Sequence, residues 1–531
     1  MTIATEEFTQ RRPYNAVTDF VDANIARGVG DKPAFTDGTH TLTFAELQTA
    51  TARCAHGLRA LGLKPESRIA LVMLDTVDFP VAFWGAIRAG SVAIPLNTLL
   101  NAEQYAYMLD DSRAEALFVS APLARTIAPI IERLSHLRLI VIAGGNAQDT
   151  AVFPKREVHL FDDVLGGAAA EPWTAPTVSD EVAFWLYSSG STGMPKGTRH
   201  VHISLIATAK LYGQGVLGIR RDDVVFSAAK LFFAYGLGNA MSFPLSVGAT
   251  AVLCPGRPSP DAVFEVMRRE RPTIFYGVPT LYAAMLARND LKRGAGSDRL
   301  RICVSAGEAL PAHIGTQWRE RVGVDVLDGI GSTEMLHIFL SNRPGHIRYG
   351  SSGRPVPGYE AKILGEDGNE VGDDEVGELV VRGPSAAEGY WNQRAKTRRT
   401  FAGEWTYTGD KYVREADGTF FYCGRTDDMF KVSGIWVSPF EVEAALLSHE
   451  AVLEAAVIGR KDPDGLVKPK AFVVLKQGYS ADERLIEALK EHVKERAGGG
   501  KYPRWIDVRA ELPKTATGKI QRFVLRQQDA T

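Results

Sequence analysis

Residues 187–197 read Tyr187-Ser188-Ser189-Gly190-Ser191-Thr192-Gly193-Met194-Pro195-Lys196-Gly197 and follow an apolar run, Val182 to Leu186. The window holds three glycines, four Ser/Thr hydroxyls and a lysine. A strand ending in such a loop turns backbone N–H groups, hydroxyls and one ammonium toward the same small volume. That set suits a polyphosphate, whose charge is spread over several oxygens. Glycine allows close backbone approach and positive φ. On composition alone, a mobile Gly/Ser surface loop accounts for the stretch equally well. The spacing is not that of a Walker A loop, and a Gly-x-Gly-x-x-Gly string at Gly213, Gly215 and Gly218 follows an expected helix, not the strand a dinucleotide site needs.

Further stretches carry reactive side chains. Lys230-Leu231-Phe232-Phe233-Ala234-Tyr235-Gly236-Leu237-Gly238-Asn239 sets aromatics among small residues. Core packing is the commoner meaning; a slot for a planar ring, gaining roughly 0.5–1.5 kcal/mol from stacking beyond buried area, is the other. Ser305-Ala306-Gly307-Glu308-Ala309-Leu310 reads alone as an ordinary βα turn. Asp328-Gly329-Ile330-Gly331-Ser332-Thr333-Glu334-Met335-Leu336-His337 gathers two acids and a histidine around glycines. Tyr407-Thr408-Gly409-Asp410, Tyr422, Arg425, Lys431-Val432-Ser433-Gly434-Ile435-Trp436 and Lys514-Thr515-Ala516-Thr517-Gly518-Lys519 follow. Taken singly, such charged residues are mostly solvated.

In this order, the stretches resemble the signatures of acyl-adenylate-forming enzymes: acyl-CoA synthetases, adenylation domains and luciferases. The resemblance covers nearly the whole chain and is greatest to the benzoate–CoA ligases, which carry a similar Phe-Phe-Ala-Tyr-Gly run. It implies ATP, Mg2+ and coenzyme A as co-substrates and cofactor. By resemblance, Ser188, Ser189, Gly190, Ser191, Thr192, Gly193 and Lys196 meet phosphate, with Thr333 a further phosphate donor. Gly307, Glu308 and Ala309 belong to a turn that stacks and hydrogen-bonds adenine, Asp328 and Gly329 also bind ATP, Tyr422 lies near the adenine edge, and Asp410 and Arg425 hold the ribose. Glu334 meets Mg2+, as an oxygen ligand should. Phe233, Ala234, Tyr235, Gly236, Ala306, Gly329, Ile330, Gly331 and His337 wall the acyl pocket, a neutral packed histidine being the equal alternative for His337. Lys519 bridges carboxylate and α-phosphate, offsetting the repulsion of two anions brought to reaction distance. Lys431 lies on the opposite, thioester-forming side of the terminal module, with Ser433, Gly434 and Trp436 toward coenzyme A and Asp427 at the hinge. Gly434 would let pantetheine pass close to backbone. One departure is Ala497-Gly498-Gly499-Gly500 before Lys501-Tyr502-Pro503-Arg504, where relatives carry a stiffer segment.

The elements that must position these residues follow from the apolar rhythm. Thr43-Phe44-Ala45-Glu46 is a capping-box pattern ahead of helical spacing at Phe44, Leu47, Cys54 and Leu58. Short apolar runs at Arg68 to Leu74, Ser91 to Pro95, Ala116 to Ser120 and Leu137 to Ala143 alternate with helices, which predicts a doubly wound parallel sheet. The rhythm restarts with an expected helix over His200 to Gly213 and strands at Val224 to Ala228, Thr273 to Val278, Ile302 to Ala306 and Val324 to Asp328. From about Gly350, short alternating strands predict a small β-barrel-like subdomain. The expectation is an α/β protein with an N-terminal domain over 1–426, made of two doubly wound sheets and the barrel, and a hinged α+β domain over 427–531.

Composition narrows the classes. A 531-residue chain with 45% hydrophobic and 23% charged residues is an ordinary globular composition, and a net charge of −2 offers nothing to nucleic acid or an anionic membrane. Cys54, Cys254, Cys303 and Cys423 form no CxxC pair and read as reduced thiols. Met1 to Asn15 is polar, unlike a signal peptide. The expectation is a cytoplasmic enzyme, monomer or homodimer, acting on a small aromatic carboxylic acid. The rivals are a ligase for hydroxybenzoate, aminobenzoate or another cyclic or medium-chain acid, an enzyme loading a carrier-protein thiol, and a non-catalytic nucleotide-binding relative.

Overall fold

A computed structural model describes residues 6–190, 193–288, 290–426, 428–432, 435–463, 465–498, 501–514 and 520–530. Thr43 caps the helix Phe44–Ala60 as its sequence predicts: the Thr43 hydroxyl accepts from the Glu46 N–H and the Glu46 carboxylate accepts from the Thr43 N–H. The helix buries Phe44, Leu47, Cys54 and Leu58. Gly85 of the helix Asp78–Arg88 meets it so closely that a Cβ would lie 2.5 Å from Cys54.

Two large sheets dominate. The first has eight strands, with Arg68–Val72 parallel to both Val92–Pro95 and Ala116–Ser120, and it ends at Gly389–Tyr390 beyond an antiparallel hairpin. The second has nine, its centre built from Val224–Ser227, Ile274–Gly277, Ile302–Ser305 and Val326–Gly331 in parallel register. Their central strands are apolar and buried on both faces, the pattern of sheets covered on both sides. One buried cluster runs between the sheets and takes in Leu71 and Phe184 from the first and Tyr276 and Leu327 from the second.

The expected barrel-like region is a five-stranded antiparallel sheet over Glu360–Leu364, Gly377–Arg382, Phe401–Ala402, Trp405–Arg414 and Phe420–Arg425. The last stretch forms a three-stranded sheet of Val452–Lys461, Val467–Leu475 and Trp505–Val508 beside the helices Pro439–Leu447, Glu483–Ala497 and Arg522–Ala530. Phe440 sets its ring edge-on to Tyr422 at 5.5 Å, so the helix Pro439–Leu447 packs on the five-stranded sheet. Asp428, Glu443, Arg522 and Arg526 form an ion-pair network on the same side, with Arg526 Nη1 2.8 Å from Asp428 and Arg522 Nη2 2.6 Å from Glu443.

Two expectations are corrected. Residues 187–190 and 193–197 lie in strands: Val182–Gly190 and Gly193–Val201 are paired, with Ser188 opposite Lys196 and Gly190 opposite Gly193. The paired partner extends the strand past Leu186 despite the glycines. The helix expected over His200 to Gly213 is α-helical over His202–Thr208 and continues as a π-helix over Ala209–Gln214.

At the base of the second sheet, Asp223 accepts from Arg301 Nε at 2.9 Å and Nη2 at 2.6 Å, from the Thr273 hydroxyl at 2.7 Å and from the Arg220 N–H at 2.8 Å. Burial pushes this carboxyl up, but these donors outweigh burial and hold it below the usual carboxylate range. A depressed folded-state pKa stabilises above the unfolded value and stops doing so as pH falls through the folded one. Asp223→Ala is therefore expected to cost roughly 3–5 kcal/mol near neutral pH. In urea titrations the gap to the parent chain should close below about pH 4, the ordinary aspartate value.

Candidate active site

The hairpin Val182–Gly190/Gly193–Val201 is anchored on its outer side. Tyr187 donates to Asp111 Oδ2 at 2.7 Å, and the Tyr107 hydroxyl donates to the Pro195 carbonyl at 3.1 Å. Its register points Lys196 at a turn of the second sheet. There the chain leaves the strand Val326–Gly331, rounds residues 332–337 and returns as Ile338–Ser341. The turn is fixed by backbone and hydroxyl bonds: Leu336 N–H to the Thr333 carbonyl at 3.1 Å, and Met335 N–H to Ser332 Oγ at 3.2 Å. The His200 Nε2–H donates to the Thr333 carbonyl at 2.8 Å. Burial pushes the His200 imidazole down to about 4, so this ring is a neutral Nε2–H donor near neutral pH.

Glu334 is thereby held at the meeting of three elements. Tyr390, on the first sheet's edge strand, donates to Glu334 Oε1 at 2.7 Å. The Ser188 hydroxyl approaches the same oxygen at 3.4 Å and Lys196 Nζ stands 3.7 Å away. Lys196 also lies 4.3 Å over the Tyr390 ring and 3.3 Å from its hydroxyl. Among the described residues no three His, Cys, Asp or Glu side chains gather as a metal cage. One carboxylate beside hydroxyls is instead a donor set for a cation that brings its own oxygen ligands.

Asp410 and Arg425 stand opposite each other on adjacent antiparallel strands, with Arg425 Nη1 2.9 Å from Asp410 Oδ1. Gly409 precedes Asp410 at φ 71°, the left-handed conformation that glycine adopts without strain. Tyr422, two positions after Phe420 on the same strand as Arg425, is largely enclosed between Tyr412 and Phe440. Arg425 is near enough to the Lys196 ammonium to lower its pKa, which joins this pair to the Glu334 group.

At the carboxyl ends of the second sheet, Ser305 is in register with Asp328. The following turn carries Ala306, Gly307, Glu308 and Ala309, with Gly307 at φ 94°. The Leu310 N–H meets Asp328 Oδ2 at 3.3 Å, while Asp328 Oδ1 and Ser305 Oγ are buried without a hydrogen-bond partner among the described residues. Burial pushes the Asp328 carboxyl well above its usual range, and its Oδ1 is the oxygen left to bond among the described residues.

Phe232 and Phe233 lie edge to face at 4.4 Å just before the short helix Ala234–Leu237. Tyr235 donates to the Gly277 and Val304 carbonyls at 3.2 and 3.1 Å. His337 is buried, and its Nε2–H is shared between the Tyr235 carbonyl and Asn239 Oδ1, each at 3.2 Å. Burial pushes this ring down to about 3, so the imidazole is neutral near neutral pH. Gly238 presses on it so closely that a Cβ would lie 2.3 Å from the ring. A Cβ at Gly329 would lie 2.8 Å from the Leu340 carbonyl and one at Gly331 2.5 Å from that of His337. Pairing with Ile338–Ser341 alone thus accounts for these two glycines, with the partly buried Ile330 between them.

Several sequence candidates fall elsewhere. Ser191, Thr192, Asp427, Ser433, Gly434 and Lys519 lie outside the described residues, as do Gly499 and Gly500. Lys431 and Trp436 are in register across the small hairpin Phe430–Val432/Ile435–Val437. The residues that sequence reading missed are Tyr390, His200 and Asn239. Tyr390 and His200 lie in no chemically suggestive string, Asn239 closes the aromatic stretch without a role there, and their partners are 56, 133 and 98 positions away.

Comparison with known proteins agrees with this geometry. The chain matches the family described as AMP-binding enzyme over residues 22–391 and the AMP-binding enzyme C-terminal domain over 441–519. It is 54% identical to a 4-hydroxybenzoate–CoA/benzoate–CoA ligase of Rhodopseudomonas palustris, over 97% of this chain and 94% of that protein. It is also 54% identical to a benzoate–CoA ligase of Thauera aromatica, over 97% and 96%. Among solved structures it is similar to a benzoate CoA ligase from Burkholderia xenovorans LB400, with TM-score 0.88 and 50% identity over 97% of this chain and all of that one. The chain belongs to the AMP-binding enzyme family.

Burial pushes the Lys196 ammonium down, and the Glu334 carboxylate opposes that shift. Removing the opposing charge should lower the Lys196 pKa further. Glu334→Gln is expected to show this in an NMR titration of the lysine ammonium, and an unmoved or raised value would contradict the pairing.

Proposed function

We propose that this member of the family is an ATP-dependent aryl acid–CoA ligase, with benzoate its preferred acid. The observation that carries the reading is the Glu334–Tyr390–Lys196 group beside the Asp410–Arg425 pair, a setting for a nucleotide triphosphate rather than for a single phosphate. The two relatives named for benzoate, each 54% identical, support the acid. One of those names joins 4-hydroxybenzoate to benzoate, which makes the hydroxylated ring the second reading.

The reaction uses ATP, Mg2+ and coenzyme A. A carboxylate is a poor electrophile, so an oxygen of the acid attacks the α-phosphorus of ATP. The bond to pyrophosphate breaks, and the product is a mixed anhydride, the aryl-adenylate. The thiol sulfur of coenzyme A then attacks the acyl carbon, the thiol proton is lost, and AMP leaves. In this reading Ser188, Ser189, Gly190, Gly193 and Lys196 face the phosphates with Ser191 and Thr192. Glu334 fits Mg2+, which when bound supplies charge neutralisation at the phosphates. Asp410 and Arg425 hold the ribose, the Ala306–Ala309 turn and Asp328 receive adenine, and Phe233 to Gly236 wall the aryl group. Packing in a closed, preorganised site raises the worth of each charge.

The domain division at 426/427, with Asp427 as hinge, belongs to the same reading. The terminal module would present Lys519 for adenylation and the Lys431–Trp436 hairpin for thioester formation. A cytoplasmic place of action is supported by four free cysteines, and among the described residues no helix is long and apolar enough to cross a membrane. With a net charge of −2, no nucleic-acid partner enters the reading.

The test is AMP release with ATP, Mg2+ and coenzyme A across benzoate, hydroxy- and aminobenzoates, cyclohexanecarboxylate, hexanoate and a no-acid blank. Benzoate should lead; a lead for an aliphatic acid would overturn the planar-slot reading. Lys519→Ala should lower benzoate-dependent pyrophosphate exchange roughly 10²–10³-fold, the scale of one preorganised transition-state donor, yet still convert supplied benzoyl-AMP to the thioester. Gly434→Trp should do the reverse. Loss of both half-reactions in either variant would sink the two-orientation assignment.

A further inference from the structure

The two large sheets are joined by a contact between a site stretch, at Leu231, and an acid that lies outside all of them, Asp75. Asp75 lies just past the strand Arg68–Val72 of the eight-stranded sheet and is only 4% exposed. Both its carboxylate oxygens stand 3.3 Å from the backbone N–H of Leu231, which belongs to the other sheet's segment 228–233 between the strand Val224–Ser227 and the helix Ala234–Leu237.

That segment has no regular structure of its own, so its backbone must be fixed from outside. At its start the Ala228 N–H donates to the Tyr276 carbonyl at 2.9 Å. In its middle the Lys230 ammonium reaches the Gly256 carbonyl at 2.7 Å and also bonds the Cys254 carbonyl. It closes with Phe233 N–H on the Lys230 carbonyl at 3.1 Å, and Leu237 N–H then bonds the Phe233 carbonyl at 2.8 Å. Slack is missing between the segment and the helix: a Cβ on Gly236 would lie 2.0 Å from the Lys230 carbonyl oxygen. A displacement at Leu231 therefore cannot be absorbed before it reaches Phe233, Ala234 and Gly236.

We propose that Asp75 is a positioning residue for the acyl pocket, holding Leu231 from the opposite sheet so that Phe233 and the Ala234–Leu237 helix take the acid in one orientation. This rests on the reading of Phe233 to Gly236 as the aryl wall. The energetics favour a functional role over a stabilising one. Burial pushes the Asp75 carboxyl up to about 6, against the pull of Lys230 and the Leu231 N–H. An acid whose folded pKa is raised lowers stability as pH rises through the window between its unfolded and folded values. At pH 8 the chain thus carries a buried carboxylate at a cost that an apolar or amide side chain would avoid.

The experiment measures KM for benzoate, KM for ATP and Tm at pH 8 on the full-length enzyme with Asp75→Asn, Asp75→Leu and Ala234→Val. Asn leaves one acceptor and Leu none, so the benzoate KM should rise in both, more in Leu, by about tenfold, the scale of a lost bond to a charged acceptor. The ATP KM should stay within about twofold and Tm should hold or increase, because a buried charge is removed. An unchanged benzoate KM in Asp75→Asn and Asp75→Leu would overturn the proposal. So would a parallel rise of both KM values with a lowered Tm, the mark of a merely structural acid. If Asp75→Leu does not fold, Asp75→Asn decides alone. Ala234→Val separates the premises: a raised benzoate KM there with Asp75 silent rejects only the role of Asp75, whereas no change in Ala234→Val rejects the pocket reading itself.

Discussion

The short bond from the Tyr390 hydroxyl to Glu334 is the constraint on which the rest of the site depends. Its two residues come from different sheets, and Lys196, from a third strand, is close to both. An anion and a cation kept 3.7 Å apart in a partly enclosed place attract strongly, yet they must remain available to a ligand and not collapse onto one another. The hydroxyl serves that end. It satisfies one carboxylate oxygen without neutralising it, and its ring face receives part of the lysine charge. The hairpin register, the His200 bond and the Ser385 hydroxyl on the Met335 carbonyl all serve to keep this arrangement in place.

Around this group the chain carries several ionisable groups in environments that suppress their charge. Asp328 is raised, His200 and His337 are neutral rings, and Lys196 is lowered. Asp328 is buried on the strand Val326–Gly331 of the second sheet and His337 beside it, His200 is buried on the first sheet's hairpin, and Lys196 on that hairpin is partly exposed. Stability comes from elsewhere, from the interdigitated cluster between the sheets and from base-of-sheet pairs such as Asp223–Arg301. The sheet is thus stiff at one end and chemically specialised at the other, the division expected where sites lie at strand ends.

Much of this was legible in the residues. The capping box at Thr43 and Glu46 and the alternation of short apolar runs with helices are local signals, and the structure follows them. Residues 187–190 and 193–197 carry a loop's composition because glycine and serine weaken any strand signal; what makes them strand is pairing between the two arms of the hairpin, a non-local term. Asp410 and Arg425 stood out by motif order, but their 2.9 Å contact exists because two strands align them. Tyr390 and Asp75 carry no local signature. One lies in a glycine-bounded edge strand and the other in a loop, and each gains meaning from a partner 56 or 156 positions away. Gly329 and Gly331 show the opposite case, since strand packing by itself explains their missing side chains.

The tautomers of the two buried imidazoles have a consequence for regulation. His200 and His337 each spend the Nε2 proton on a carbonyl or amide oxygen, and both rings gain a proton only far on the acid side of neutrality. Histidine is the side chain through which proteins ordinarily register small changes in proton concentration near pH 7. Here it is used as a fixed polar strut. These two rings are therefore deaf to modest acidification, such as an influx of an aromatic acid would bring, and neither changes charge while the medium around the site does.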